Sequence, residues 1–283
     1  VIVYDTDSSL NVEVWSPELT CDESGWQTGG HSNEVIWSWS DADVRIGITS
    51  PHAPTRESNH LSVTQPLLAD LELDGQPELV ISVVDINSED PKILTIPLGS
   101  SAPTAPSWEV ILDRGTHPSD PAWAQLDNSN TAIIATTIDE NSGNMWIWRL
   151  DGATGSNSLG RVAITGTDPG QSDSPRLRLP SPVVTQLDED YAPEMILTVP
   201  TDSNGRTTGY GARFIGVELT STQEIFSFRA QNGFADAPPL PIDTDSDGID
   251  DRLCWVTWYS ASSLSFDREG MVGCHDLSND PPT

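Results

Sequence analysis

Basic residues are scarce in this chain, which has 13 Lys and Arg against 43 Asp and Glu over 283 residues. Lys92 is the only lysine, and the formal net charge is −30. Because phosphate groups are bound by clustered Arg and Lys, this balance argues against a nucleic-acid partner and against electrostatic binding to anionic membranes. Bound divalent cations would offset part of the self-repulsion among so many carboxylates.

Long apolar runs and cysteines are also few. No run approaches the roughly 18 residues that a membrane-spanning helix requires, so the sequence predicts no transmembrane segment. The chain opens on a strand-like stretch at residues 1–4 without a signal peptide, and we interpret it as a processed or truncated form. Its three cysteines, Cys21, Cys254 and Cys274, leave one thiol unpaired or joined to another chain.

Turn-forming residues, by contrast, are abundant, and 21 Gly with 22 Pro leave little room for long helices. The apolar segments are short, rich in β-branched and aromatic residues, and bounded by Gly, Pro, Asn, Asp and Ser, which is typical of strands. No segment shows a sustained helical period. Composition and patterning together predict an all-β protein.

The most informative stretch is residues 242–251, which read IDTDSDGIDD. Four of its five carboxylates fit a ligand pattern, three at alternate positions before Gly248 and one after it; they are Asp243, Asp245, Asp247 and Asp251. Oxygen ligands so placed can surround one hard cation, and glycine permits the sharp turn, so the stretch predicts a calcium-binding loop. An EF-hand is excluded because Cys254 stands where that loop needs a bidentate Glu, and no helices flank the stretch.

Weaker copies of this loop recur along the chain and indicate an internal repeat. The first loop positions are residues 5, 70, 125, 186 and 243, so the spacings are 65, 55, 61 and 57 residues. In four copies a proline opens the strand that enters the loop, a position that strands tolerate; these are Pro66, Pro121, Pro182 and Pro239. The approximate repeats are 1–64, 65–119, 120–180, 181–236 and 237–283.

Each repeat predicts up to four antiparallel strands, one entering the loop, one leaving it and two further out. The later strands of the first repeat are placed at 12–15, 35–39 and 44–48, and the last repeat is cut short after a third strand at 271–274. Four-stranded units at this spacing predict one β-propeller domain of five blades, or part of a larger ring, with the loops on one rim. A two-sheet sandwich is the alternative, and the regular recurrence of the acidic loop favours the propeller.

The recurring loop resembles the FG-GAP/VCBS repeat family, found in integrin α-subunit propellers and many secreted bacterial proteins. The residues behind the resemblance are Asp70, Glu72, Asp74, Gly75 and Glu78 in the second loop and Asp243, Asp245, Asp247, Gly248 and Asp251 in the fifth. The resemblance implies a propeller with calcium in its blade loops. It implies no single function, because the family includes adhesins, lectins, assembly factors and carbohydrate-active enzymes.

Three loops are predicted to bind calcium through carboxylates and one backbone carbonyl each. The predicted ligands are Asp243, Asp245, Asp247, Ile249 and Asp251; Asp70, Glu72, Asp74, Gln76 and Glu78; and Asp188, Asp190, Ala192 and Glu194. The carbonyls are those of Ile249, Gln76 and Ala192. The fifth loop is the best match, the longer Glu72 loosens the second, and Gln186 opens the fourth with only a neutral amide oxygen.

The two remaining loops match the pattern less well. The third has Gln125, Asp127 and Ser129 but Ile133 at the place of the last carboxylate, so we expect it to hold no ion. The first has Asp5, Asp7 and Ser9, with Glu13 as its candidate fourth ligand. No histidine and cysteine spacing is typical of a zinc site, and no G-x-S-x-G motif occurs.

Two tryptophan pairs, Trp37 with Trp39 and Trp146 with Trp148, have the period of one strand face. We expect them to pack between blades, and a sugar-stacking surface is the alternative. Trp26, in the glycine-rich stretch 25–30, is a candidate for an exposed contact because that stretch has no obvious core partner.

These features predict an extracellular or cell-surface, calcium-stabilised module for binding, adhesion or structure, with a protein or glycan ligand. A carbohydrate-active enzyme is one alternative, although no carboxylate pair stands out. The other is a homo-oligomer or filament subunit that accepts a strand at the unpaired edge of the last blade.

The cysteine count alone also allows cytosolic thiols, but the calcium loops favour an oxidising exterior. Cys254 and Cys274 fall on consecutive strands and suit a cross-strand disulfide, and Cys21 could pair with either if the first and last blades adjoin.

Overall fold

The computed structural model describes residues 1–5, 9–16, 34–45, 65–85, 87–88, 90–99, 101–114, 117–139, 144–157, 160–164, 179–190, 192–201, 211–221, 223–230, 237–260 and 268–277. Regular structure in these residues is almost entirely β-strand, which confirms the all-β prediction. None of them forms a helix long and apolar enough to cross a membrane.

The strands are short, as the patterning predicts. In chain order they are β1 (Ile2–Asp5), β2 (Leu10–Ser16), β3 (Glu34–Asp41), β4 (Val44–Arg45), β5 (Leu67–Ala69), β6 (Glu78–Asp85), β7 (Pro91–Pro97), β8 (Trp108–Ile111), β9 (His117–Pro118), β10 (Ala122–Gln125), β11 (Thr131–Asp139), β12 (Asn144–Asp151), β13 (Arg161–Ile164), β14 (Val183–Thr185), β15 (Glu194–Thr201), β16 (Gly211–Glu218), β17 (Glu224–Ala230), β18 (Leu240–Ile242), β19 (Arg252–Ser260) and β20 (Arg268–Asp276).

The strands form five antiparallel sheets, numbered here along the chain. The first has the order β1-β2-β3, the fourth β14-β15-β16-β17 and the fifth β18-β19-β20. The second is β5-β6-β7-β8 with β4 also on β6, and the third is β10-β11-β12-β13 with β9 also on β11. In the second to fifth sheets the predicted acidic loop follows the short entering strand, so these four loops occupy equivalent places.

One strand assignment is wrong. Residues 44–48 were expected in the first unit, but Val44 pairs with Asp85 and Arg45 with Val84 in the second sheet. Packing accounts for the difference, because the Val44 side chain is buried in the apolar cluster between the first two sheets. Residues 46–48 lie outside the described part of the chain.

The middle sheets bury both of their faces. Along β6, Leu79, Ile81 and Val83 pack toward the first sheet, whereas Val80 packs toward the third. This alternation follows from the two-residue period of a strand. Burying one such aliphatic side chain contributes roughly 1.5–3 kcal/mol, so each face-to-face contact is a substantial source of stability.

Four apolar clusters join the sheets in series. The first cluster lies between the first and second sheets, the next between the second and third, then the third and fourth, and the fourth and fifth. Among the described residues, no cluster joins the fifth sheet to the first, and a closed ring is not seen there. The structure therefore shows five serially packed antiparallel sheets.

The outward face of the fifth sheet is apolar and open. Val256 pairs with Val272, and Cys254 pairs with Cys274 on that same face. Leu240 is 62% exposed and Val272 is 76% exposed. The opposite face packs on the fourth sheet through Leu253. The open face thus ends the series without a covering sheet in the described residues.

Candidate metal sites

The fourth loop converges on a buried carboxylate. One oxygen each from Asp188, Asp190 and Glu194 lies within 4.8 Å of the other two. Glu194 is the first residue of β15 and is fully buried, because that strand runs between neighbouring sheets. Its Oε2 accepts the backbone N–H of Leu187, but its Oε1 is buried without a hydrogen-bond partner. An unpaired buried carboxylate oxygen is costly, and a cation would compensate it.

The electrostatics of Glu194 point the same way. Burial raises the pKa of Glu194 to about 7, and the negative charges of Asp188, Glu218 and Asp190 add to the rise. The hydrogen bond from Leu187 acts in the opposite direction and only partly offsets burial. A negative charge at this position is therefore disfavoured until a positive charge is supplied nearby.

Hydrogen bonds within the fourth loop fix its shape. Asp188 accepts the N–H of Asp190 at 2.8 Å, and Asp190 accepts the N–H of Ala192 at 2.8 Å. The Gln186 amide nitrogen donates to the carbonyl oxygens of Asp188 at 2.8 Å and Ala192 at 3.4 Å. The Ala192 carbonyl, predicted as a ligand, thus lies beside the amide at the first loop position.

The fifth loop forms a second cluster, but a more exposed one. Oxygens of Asp243, Asp245 and Asp247 lie within 4.8 Å of one another, and the last two side chains are exposed. Asp243 accepts the N–H groups of Gly248 at 2.9 Å and Ser246 at 2.6 Å, and these bonds, led by that of Gly248, lower its pKa. The nearby Asp247 charge raises the pKa of Asp245.

The turn in the fifth loop is as predicted, but one ligand is engaged elsewhere. Gly248 has φ of +95°, a left-handed conformation that glycine adopts readily. Asp251 accepts the Thr244 N–H at 3.1 Å and its hydroxyl at 2.5 Å, and it is outside the three-residue cluster. The Ile249 N–H donates to Asp247 at 2.8 Å.

The second loop is less convergent. Asp70 accepts the N–H groups of Asp74 at 3.0 Å and Gly75 at 2.8 Å, and Glu78 accepts that of Leu71 at 2.8 Å. Burial raises the pKa of Glu78, and the hydrogen bond from Leu71 only partly offsets the rise. The charges of Glu72, Asp74 and Asp70 add to it. Within the described residues, the four acidic side chains do not form a cluster as close as those of the other two loops.

In the third loop, counting along the sequence misplaces one residue. Glu78 pairs with Ala69 in the second sheet, and the corresponding partner of Ala124 is Ala132, not Ile133. The third loop has one residue fewer between its paired strands than the second loop. Counting eight positions from Gln125 therefore reaches Ile133, one residue past the structural equivalent of Glu78. Either residue is apolar, and the expectation that this loop holds no ion stays a prediction.

The shorter third loop is closed by its own side chains. Asp127 accepts bonds from Ser129 and from Asn130, including the Asn130 amide at 2.7 Å. These bonds, led by the Asn130 side chain, lower the pKa of Asp127 to about 2. Of the first loop, Asp7 lies outside the described residues, and Ser9 is hydrogen-bonded with Asn11.

One acidic residue near the fourth loop was not predicted. Glu218, the last residue of β16, is the direct cross-strand partner of Glu194. Burial raises the pKa of Glu218, and the charges of Asp190 and Asp188 raise it further. The signal that could have found it is the strand register, since Glu194 begins β15 and Glu218 ends β16, and antiparallel pairing sets these two ends opposite each other.

The tryptophans and cysteines fall largely where the sequence indicates. Trp39 packs between the first two sheets, and Trp146 and Trp148 between the second and third, which confirms their packing role. The Trp37 side chain and Trp26 are outside the described part. Cys254 and Cys274 form a disulfide between β19 and β20, and Cys21 also lies outside the described residues.

Comparison with known proteins leaves the identity open. No family model matches the chain, and no curated protein matches it. Among solved structures it is similar to an exo-β-1,3-galactanase from Phanerochaete chrysosporium with β-1,3-galactotriose, at 11% identity and a TM-score of 0.43. The match covers 77% of this chain and 47% of the galactanase chain, so this chain spans about half the length of the galactanase. At this level the similarity assigns nothing, and function rests on the chain's own residues.

Proposed function

We propose that this chain is an extracellular, calcium-stabilised β-propeller module that serves binding, adhesion or structure. The observation behind the proposal is the buried Glu194, whose Oε1 has no hydrogen-bond partner beside Asp188 and Asp190. A cation there would compensate the buried charge and hold the fourth loop to the start of β15. The loop resembles those of the FG-GAP/VCBS repeat family, and that resemblance implies bound calcium.

The donor set favours calcium over other cations. The fourth and fifth loops offer carboxylate and carbonyl oxygens, the ligands that hard cations prefer. Zinc prefers nitrogen and sulfur ligands, which neither cluster contains. Magnesium demands a near-ideal octahedron, whereas calcium accepts the irregular geometry of a loop. Asp188, Asp190, Glu194 and the Ala192 carbonyl would hold the ion in the fourth loop.

The propeller part of the proposal is supported by the serial packing of the sheets. Each sheet from the first to the fourth packs on the next through an apolar face, as blades do. In the second to fifth sheets each acidic loop follows the entering strand, and two pairs of loops are joined by hydrogen bonds, the third with the second and the fifth with the fourth. The Thr131 hydroxyl donates to the Leu71 carbonyl at 2.6 Å, and the Asp250 N–H to the Gln186 carbonyl at 2.8 Å.

An extracellular location is supported by two features. The disulfide between Cys254 and Cys274 is typical of oxidising compartments. Acidic loops of this kind match the millimolar calcium found outside cells. The ligand of such a module would be a protein or a glycan bound at the rim that the loops form.

The open fifth sheet favours a second role, as a subunit of an assembly. Within the described residues, no strand pairs with the outer edge of β20, and Met271 and Val272 on that strand are exposed. An unpaired edge beside apolar side chains can accept a strand from another chain. Sedimentation would test this role: Val272→Lys should dissociate an assembly, and a wild type that is monomeric at every concentration would exclude it.

The calcium proposal is tested by titrating calcium into chelator-treated protein and following the heat and the melting temperature. We expect saturable binding and a higher melting temperature for wild type, and loss of the fourth-loop site in Glu194→Gln. Glu189→Gln is the matched control, because it removes the same charge from an exposed side chain of the same loop. If calcium changes neither the heat nor the melting temperature of wild type, the proposal fails.

A further inference from the structure

We infer that a cation in the fourth loop controls the order of the fifth sheet, because two hydrogen bonds join the fifth loop to the start of the fourth. The inference rests on the proposed function, since it concerns the site of Asp188, Asp190 and Glu194. It adds a regulatory role to that site, in which an ion bound to one loop fixes the sheet that follows it.

Asp250 is the residue that joins the two loops. Its N–H donates to the Gln186 carbonyl at 2.8 Å, and its carboxylate accepts the Thr185 hydroxyl. Thr185 is the last residue of β14, and Gln186 follows it at the first position of the fourth loop. Because one bond uses the backbone and the other the side chain, Asp250 leaves the fourth loop only when both are broken.

The segment around Asp250 is equally tied to the fifth sheet. The next residue, Asp251, donates its N–H to the Ile242 carbonyl at 3.2 Å and accepts the Leu277 N–H at 2.8 Å. Ile242 ends β18, Leu277 follows β20, and β19 begins directly after Asp251. The position of this segment therefore bears on the same end of all three strands.

Gln186 connects Asp250 with the fourth-loop site. Its side-chain amide donates to the Asp188 carbonyl at 2.8 Å and to the Ala192 carbonyl at 3.4 Å. Asp188 contributes a carboxylate to the close cluster, and the Ala192 carbonyl is a proposed ligand. A cation that holds these two residues together also fixes the Gln186 amide, and the Gln186 carbonyl then holds Asp250.

Without an ion, the fourth loop keeps this shape at a cost. Three of its carboxylates have oxygens within 4.8 Å of one another, and like charges at that distance repel. The Glu194 Oε1 is buried without a hydrogen-bond partner, which is also unfavourable. A cation that binds only the ordered loop stabilises every contact that requires this order, and the bonds to Asp250 are among them.

The test follows hydrogen exchange of the β19 amides in a protein whose fifth-loop cluster is disabled by Asp245→Asn and Asp247→Asn. Any effect of calcium on β19 then originates outside the fifth loop. Relative to chelator, calcium should slow this exchange by about 5-fold or more, the lower end of typical coupling between sites. Exchange in β2, in the remote first sheet, should change much less, and Glu194→Gln should abolish the effect on β19.

Two variants of this protein remove the link and leave the proposed ligands in place. Thr185→Val and Asp250→Ala delete the two partners of one hydrogen bond. In each, calcium should still bind the fourth loop, but its effect on β19 should fall below about 2-fold. Thr220→Val makes the same change as Thr185→Val at an exposed position of the fourth sheet and should keep the full effect.

The outcomes separate this inference from the proposal beneath it. If calcium binds and slows exchange in the fourth loop while β19 is unaffected, the coupling is overturned and the calcium site stands. Equal slowing of β19 with and without the link would also overturn the coupling, since the ion would then stabilise the protein generally. If calcium does not bind at all, both the coupling and the calcium site fail.

Discussion

The Thr131 hydroxyl donates to the backbone carbonyl of Leu71 at 2.6 Å, and this buried bond joins the third loop to the second. The Thr131 carbonyl in turn accepts the N–H of Gly152 at 2.9 Å. The N–H of Asp250 makes a comparable contact between the fifth and fourth loops, to the carbonyl of Gln186 at 2.8 Å. The loops are therefore connected in pairs, so ordering one loop restrains its neighbour.

Replacing Thr131 by valine should weaken this connection. Thr131→Val keeps the side-chain shape but leaves the buried Leu71 carbonyl without a donor, which costs about 1–3 kcal/mol. Thr131→Ser keeps the donor and should cost less. Urea denaturation of both variants measures the difference. Equal losses in the two would mean that the methyl group, and not the hydrogen bond, is responsible.

Glu194 should make the calcium-free protein less stable as pH rises. Its pKa is about 7 in the folded state, above its ordinary value of 4.5. The folded state therefore binds the Glu194 proton more tightly than the unfolded state does. The stability gained from this proton is fully present below pH 4.5 and is lost as pH rises through 7. Between pH 5 and pH 8 the loss should be roughly 2–3 kcal/mol.

The control for this pH effect is Glu194→Gln, which cannot titrate. In chelator, the free energy of unfolding of wild type should fall relative to the variant between pH 5 and pH 8. With calcium present the fall should vanish, since the cation takes the place of the proton. Parallel pH profiles of wild type and variant in chelator would contradict the raised pKa.

Much of the fold could be predicted because its signals are local. Strand segments follow from short β-branched runs between turn residues, and the loops follow from spacing. The place of Val44 could not, because it depends on which sheet offers an apolar surface to it. Ring closure is likewise a property of distant contacts, which no local pattern records.

The clusters of acidic side chains could be predicted from the sequence, but their burial could not. The fifth loop matches best when carboxylates are counted, yet Asp245 and Asp247 are exposed there. In the fourth loop, Glu194 is buried because β15 lies between two packed sheets. Burial decides how much a cation would stabilise the loop, and burial comes from tertiary packing. Glu218 was missed for the same reason, since only the register brings it opposite Glu194.

The single lysine should contribute to stability in neutral solution. Lys92 donates to Asp85 at 2.7 Å, and the two side chains are only 11% and 14% exposed. This bond, with the N–H groups of Ser88 and Asn87, lowers the pKa of Asp85 to about 2. Its stabilisation is therefore present above the ordinary pKa of 3.8 and lost as pH falls through 2.

Asp85→Asn tests that pair. At pH 7 we expect a loss of about 2 kcal/mol, because Lys92 is left buried without its counter-charge. The loss should shrink as pH falls through 2, because Asp85 then becomes protonated in the folded state as well. Asp43→Asn, at an exposed position, is the control and should have little effect at either pH. A loss that is constant with pH would point to a packing effect.

The Cys254–Cys274 disulfide should stabilise the fifth sheet, whose outward face is uncovered. The bond spans 20 residues, and closing a loop of that length contributes about 3 kcal/mol through the unfolded state. The double variant Cys254→Ser with Cys274→Ser should therefore unfold at lower urea concentration, and reductant should shift wild type to the same midpoint without changing the variant. Non-reducing peptide mapping should recover the 254–274 link. A link from Cys21 to either residue would contradict the pairing, and with it the arrangement of β19 and β20 on which the open face depends.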